Sequence, residues 1–211
     1  MSSYRPDRVK IIADRENLER IGKLRQFIET IAAEYKRGGV PIGSDGRIDM
    51  SAFVGIYPDV DKDQDGVRRR FRDWYGGFSD KEAQEQRLLS DGEKLEMLIY
   101  VILHKNLGSE FVVARSSEHD DHIHGVDQLL LERTTGNIIC AFDEVGDTTG
   151  ANYEKKAAVV QDHNVHRGGA TIKYGLKLED EGGARRKSSP QKLETFRFFT
   201  WLCQKTALKK A

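Results

Sequence analysis

Apolar residues recur at helical spacing along residues 14–37, where Leu24, Ile28, Ile31 and Tyr35 fall on one stripe at steps of four, three and four. Gly38 and Gly39 end the run and Pro41 follows. A loop-rich stretch is expected to about residue 66, then a short helix over 67–75 that stops at Gly76-Gly77. Residues 1–80 thus read as a small helical N-terminal region. From residue 81 the pattern changes. Ser90 to Glu93 fits a capping box ahead of the apolar run 95–103, a helix core that closes near Gly108. Strands are expected over 111–114, 125–132 and 138–145, and a helix over 153–162. Residues 170–178 alternate like a strand, with Ile172, Tyr174 and Leu176 on one side and Lys173 and Lys177 among the others. Residues 182–191 read as a polar loop and 193–208 as a closing helix. The order helix, three strands, helix, strand, helix predicts an α/β domain over 81–211, a mixed central sheet flanked by helices.

Residues 125–145, two strand-like runs about the turn Thr134-Thr135-Gly136, carry the chemistry. A three-residue hairpin loop with Gly in the left-handed third position would pair Arg133 with Asn137. Counting back, Leu131 would face Ile139, Leu129 would face Ala141, and Asp127 would face Asp143. A register shifted by one puts Glu144 opposite Asp127 and still leaves two acids adjacent. Opposed Cβ atoms lie about 4.5–5.5 Å apart, where two ionised carboxylates repel. A proton or a cation must intervene, and a hard divalent cation with oxygen ligands is the economical answer. The bland alternative is a solvated strand end.

The stretch from Glu96 to Lys156 resembles the core of the PD-(D/E)XK nuclease superfamily. Glu96 lies on the early helix, Asp127 stands in the phrase Gly-Val-Asp, and Asp143 holds the second acidic position. The segment Glu118-His-Asp-Asp121 is similar to the acidic stretch many members carry before the first strand Asp. The resemblance implies a restriction-endonuclease-like fold and hydrolysis of nucleic acid, DNA favoured, with Mg²⁺ or Mn²⁺. Asp127, Asp143 and the Glu144 carbonyl would hold the metal, and Glu96 would be an outer ligand or orient a water. The family expects Lys two residues after the second acid, where this chain has Val145. Some members supply that lysine from the following helix, which makes Lys155 and Lys156 the candidates. An inactive fold relative that binds nucleic acid or a protein partner is the other outcome.

Composition refines this picture. Net charge is zero, so polyanion binding must come from local patches. Arg68, Arg69, Arg70 and Arg72 surround Phe71, Trp74 and Tyr75, a mixture suited to phosphate contact and base stacking. Arg185 and Arg186 form a second basic spot. Each patch has an ordinary reading as a solvated face. Two isolated cysteines, Cys140 and Cys203, fit a reducing cytoplasm, and the longest apolar run, 97–103, is too short for a membrane span. A homodimer is one open option. His119, His122, His124, His163 and His166, with Asp120 and Asp121, suggest a competing transition-metal hydrolase site. Asp61-x-Asp63-x-Asp65-Gly66 copies half of an EF-hand loop, but the closing ligand position is Arg72, so a helix-capping acidic turn is expected instead.

Overall fold

The computed structural model describes residues 15–145, 151–167, 169–181, 185–189 and 198–202, the backbone alone for Asn152 and beyond residue 176. The fold is mixed α/β. Five α-helices are described: α1 (Arg15–Arg37), α2 (Val60–Tyr75), α3 (Asp80–Leu89), α4 (Asp91–Leu107) and α5 (Ala151–His166). Strands β1 (Phe111–Arg115), β2 (Gln128–Glu132) and β3 (Ile138–Val145) pair antiparallel in that order. β4 (Lys177–Glu181) and β5 (Arg185–Ser189) form a separate antiparallel pair. β6 (Phe198–Leu202) extends the first sheet by pairing parallel to β3.

α4 explains the layering. It buries Leu95, Met97, Ile99, Tyr100, Val101 and Leu103, too many directions for a helix with one wet face. It accordingly packs against α1 as well as against β1 and β3. α5 lies against β6. One core cluster takes in residues from Ile21 in α1 to Leu176 ahead of β4.

Several expected elements differ. The 67–75 helix begins seven residues earlier, at Val60, because Asp61 and Asp63 favour a helix N-terminus and Gly66 is tolerated inside it. The half EF-hand is therefore helix, not loop. α3 was not expected, although Ser79 and Glu82 form a reciprocal capping box that marks its start. Ser90 does cap α4, accepting from the Glu93 N–H, but the Glu93 side chain turns to arginines rather than back to the cap. Residues 171–176 are irregular, although Ile172, Tyr174 and Leu176 are buried as the alternation implies. The expected loop over 182–191 contains β5, and the expected closing helix contains β6, while 190–197 and 203–208 lie outside the described residues. The hairpin carries a bulge between Leu130 and Leu131: Leu131 pairs Ile138, and Ile139 is left out and exposed. Below the bulge the expected register returns, with Leu129 opposite Ala141 and the Asp127 N–H donating to the Phe142 carbonyl at 2.8 Å.

A short extended segment brings Arg47 beside the edge of the sheet. The Arg115 N–H donates to the Gly46 carbonyl at 2.9 Å, and the Ile48 N–H donates to the Arg115 carbonyl at 3.0 Å. Gly46 sits at φ 80°, and a Cβ there would lie 3.0 Å from Tyr100 Cζ and 3.1 Å from Ile28 Cγ2. Both the backbone conformation and the space demand glycine. Gly46→Ala is expected to cost about 1–3 kcal/mol, seen as a lower urea midpoint at unchanged m-value; an unchanged midpoint would contradict this packing.

Candidate functional site

The site is built where four elements end together. α4 supplies Glu93 and Glu96 from its first two turns. A single π-helical turn, Asp120–His124, supplies Asp121 and His122, and Gly125 closes it in the left-handed region at φ 69°. The residue before β2 is Asp127, and β3 ends in Asp143-Glu144-Val145. α5 contributes Lys156, and α2 closes one side with Phe71, Trp74 and Tyr75. Apart from Asp143 and Val145, these residues line one cleft with a volume of about 570 Å³.

Arginines neutralise the inner wall. Arg115, 1% exposed, meets Glu93 at 2.7 Å and Glu96 at 2.6 Å. Arg47 meets Glu96 at 2.9 Å and Asp121 at 2.8 Å. Arg87 meets Glu93 at 3.1 Å and Glu118 at 2.7 Å. Burial works against the charge on Glu93, but Arg115, Arg47 and Arg87 outweigh it and hold the carboxyl at about 2. Glu96 and Asp121 go the other way. Burial raises both, Asp121 adds to the rise at Glu96, and Asp127 adds to it at Asp121.

The outer half is short of cations. Asp127 accepts the Glu144 N–H at 2.7 Å. Lys156 Nζ contacts the Asp143 carboxylate and donates to the Glu144 carbonyl at 2.9 Å. Burial disfavours the Lys156 charge, but Asp127 and Asp143 keep the ammonium protonated. Burial, then Asp127, pushes Asp143 up to about 7, with Lys156 pulling the other way. Glu144 is 5% exposed, neither carboxylate oxygen has a hydrogen-bond partner among the described residues, and burial followed by Asp127 drives it well above the carboxylate range. Among the described residues, the Lys and Arg side chains set against Glu93, Glu96, Glu118, Asp121, Asp127, Asp143 and Glu144 are Arg47, Arg87, Arg115 and Lys156.

Glu96, Asp121 and Asp127 each offer an oxygen within 4.8 Å of the others. An all-oxygen set with the unpartnered Glu144 carboxylate lining the same cleft suits a hard divalent cation. The grouping differs from the expected ligand set. Asp127 is joined by Glu96 and Asp121, whereas Asp143 and the Glu144 carbonyl are taken up by Lys156. Lys155, one residue away, is exposed.

His119 and His124 meet edge to face with ring centroids 5.4 Å apart, whereas His122, His163 and His166 each have other neighbours. His119 lies 3.7 Å from Asp63, His124 pairs with Asp120 at 2.8 Å, and His166 with Asp162 at 3.3 Å. His163 Nδ1 lies 3.1 Å from the Gly169 carbonyl. Asp120 is fully buried and accepts the backbone N–H groups of Lys173 and Tyr174 at 2.7 and 3.0 Å, a structural anchor. His122 packs edge-on to Trp74, and burial, with Arg87 and Arg47, lowers it to about 4. Among the described residues the trio with convergent ligand atoms contains no histidine. Arg68, Arg69 and Arg72 are exposed on α2 outside the cleft lining, Arg68 paired with Asp65 at 2.6 Å. Arg185 and Arg186 lie on β5, and their side chains are outside the described residues.

Compared with protein-family models, with curated proteins and with solved structures, the chain matches none. Function has to be argued from the site.

Removing Arg47 would leave Glu96 and Asp121 buried and short of a cation. Arg47→Met is expected to cost about 3–5 kcal/mol, read from chemical denaturation; a loss below about 1 kcal/mol would mean that the acids are already protonated. The Asp143 shift has its own signature. Its value rises from 3.8 to about 7 on folding, so this group favours the folded state at low pH and loses that contribution as pH climbs through the window. Asp143→Asn cannot titrate. Its stability relative to the parent should therefore increase between about pH 4 and about pH 7, and parallel pH profiles for the two proteins would sink the assignment.

Proposed function

We propose that this chain is a metal-dependent phosphodiesterase with a restriction-endonuclease-like fold, hydrolysing nucleic acid with DNA favoured, in which Lys156 stands in for the lysine missing at Val145. The observation that carries the reading is the Lys156 ammonium. It comes from the helix after β3, touches Asp143 and the Glu144 carbonyl, and lines the cleft with Asp127. Asp127 with Glu96 and Asp121 would hold Mg²⁺ or Mn²⁺, which would supply Lewis acidity at the scissile phosphate. Lys156 is positioned to orient the attacking water and to offset the charge that develops on the phosphate oxygens. Arg47 and Arg115 fix the Glu96 carboxylate from behind, so its approach to the cleft is set before substrate arrives.

A second reading has its own support. Because Arg47 already meets Glu96 and Asp121, the carboxylates are partly compensated without a metal, as in a nucleic-acid-binding module that has lost catalysis. Cleavage of labelled single- and double-stranded DNA and RNA separates the two. The nuclease reading expects cleavage with Mg²⁺ or Mn²⁺, none in chelator, and loss in Asp127→Asn. Lys156→Met should slow it about 10²–10⁴-fold, and Lys155→Met should leave it within a few-fold of the parent. Binding without cleavage would favour the module; equal effects of the two lysine variants would remove Lys156 from its role.

A further inference from the structure

Three aromatic residues of α2 stand in the same cleft as the carboxylates. Phe71, Trp74 and Tyr75 are spaced three and four apart, so the helix turns them to one side. The Phe71 and Tyr75 rings lie 4.9 Å apart, and Trp74 is 38% exposed despite its size. Each end of this wall has a guanidinium close by, Arg87 at 6.0 Å from the Phe71 ring and Arg70 at 5.9 Å from the Trp74 ring. His122 joins the wall to the acidic half: its ring is 4.6 Å from Trp74, and it follows Asp121 in the chain. The cleft is therefore bipartite, aromatic along α2 and cation-binding at the ends of α4, β2 and β3.

We propose that this cleft takes one unpaired nucleotide of a single-stranded nucleic acid, its base against the Phe71–Trp74–Tyr75 wall and its phosphate at the Asp127–Lys156 end. The placing of the phosphate rests on the phosphodiesterase reading; the placing of the base rests on the wall. A volume of about 570 Å³ is that of a small-molecule pocket. In a duplex the base faces are covered by their stacked neighbours and only edges show in the grooves, so an aromatic platform selects bases out of the stack. Stacking on such a platform is tolerant of sequence, since every base has a π-face. The excess of carboxylates over cations also means that a phosphate enters only with a divalent ion, so binding should depend on metal. The unpartnered Glu144 carboxylate, buried and lining the same cleft, supports that dependence independently of the aromatic wall.

Tryptophan fluorescence of the full chain tests the proposal, with a short single-stranded oligonucleotide titrated in Ca²⁺ and in chelator. The sequence has two tryptophans, so Trp74→Leu identifies which signal belongs to the cleft. The expected result is quenching in Ca²⁺ that is absent in Trp74→Leu; read by anisotropy of a labelled strand, affinity is about ten-fold weaker in that variant and largely restored in Trp74→Phe. The same strand with abasic sites in place of its bases should bind about as weakly to the parent as the intact strand does to Trp74→Leu. Equal binding of intact and abasic strands, or of single strand and duplex, would overturn the proposal. Cleavage of duplex unaffected by Trp74→Leu would overturn it while leaving the nuclease reading intact. Trp74-dependent binding with no cleavage of any substrate would uphold the base site and defeat the nuclease reading.

Discussion

The contact of Arg115 with Glu93 and Glu96 is the point on which the other features turn. It joins the end of β1 to the first turns of α4, in a place with almost no solvent to screen the charges. A buried ion pair is seldom a gain over well-packed apolar residues, because desolvation absorbs most of the attraction. Removing one partner is nevertheless severe, since the other charge stays behind. The fold is thus committed to the whole lattice once Arg115 is inside. Arg47 follows, because Glu96 and Asp121 need a second guanidinium, and the segment Gly46–Ile48 must then lie along Arg115 to deliver it. The left-handed Gly46 packed on Tyr100 is the backbone consequence.

The lattice is unbalanced, and the imbalance has a direction. On the inner side Glu93, Glu96, Glu118 and Asp121 meet three arginines. On the outer side Asp127, Asp143 and Glu144 meet one lysine. A lattice that served only to tie β1 to α4 would need the inner set alone. Asp127 and Glu144 line the cleft and Asp143 lies against Lys156 beside it, and burial and mutual repulsion push Asp143 and Glu144 toward their neutral forms. Such a set takes up either protons or a cation, and the choice depends on pH and on the ion supplied. That property distinguishes this cleft from an ordinary buried salt-bridge network.

Hydrophobic pattern made much of the scaffold legible and little of the lattice. The period of α1, the apolar run of α4 and the three antiparallel strands are local signals, and they were readable. The bulge at Ile139 shows why the register survived a mistaken loop: an extra residue in the bulge absorbed the longer turn, so Leu129 still faces Ala141. β5 and β6 were not legible because a strand that depends on its partner carries weak local information. Ser79-x-x-Glu82 was a readable start for α3 that the polar character of the segment obscured. Asp127, Glu96 and Lys156 could be nominated from spacing and resemblance. Arg47, Arg115 and Asp121 could not be ranked by pattern, since their importance comes from contacts 49, 19 and 74 residues away in the chain. Only Arg115 offered a hint, as an arginine closing an otherwise apolar strand.

The two halves of the cleft come from chain regions that the sequence divides. α2 lies in the segment read as a helical N-terminal region, and the carboxylates lie in the segment read as the α/β domain. What holds them in one place is a polar seam. Asp63 in α2 accepts from the Tyr174 hydroxyl and the Lys173 ammonium, both at 2.5 Å, while the backbone of those same two residues is held by Asp120 in the π-helical turn. That turn carries Asp121 into the carboxylate half of the cleft and His122 against Trp74. The aspartates that look like half a calcium loop thus have a different use: one of them fastens the aromatic helix to the element that carries the acid. Since each link is a single buried or half-buried carboxylate, the relative setting of wall and cluster is fixed by directional bonds rather than by shape alone, which is what a site needs if a base and its own phosphate are to be held together at a defined separation.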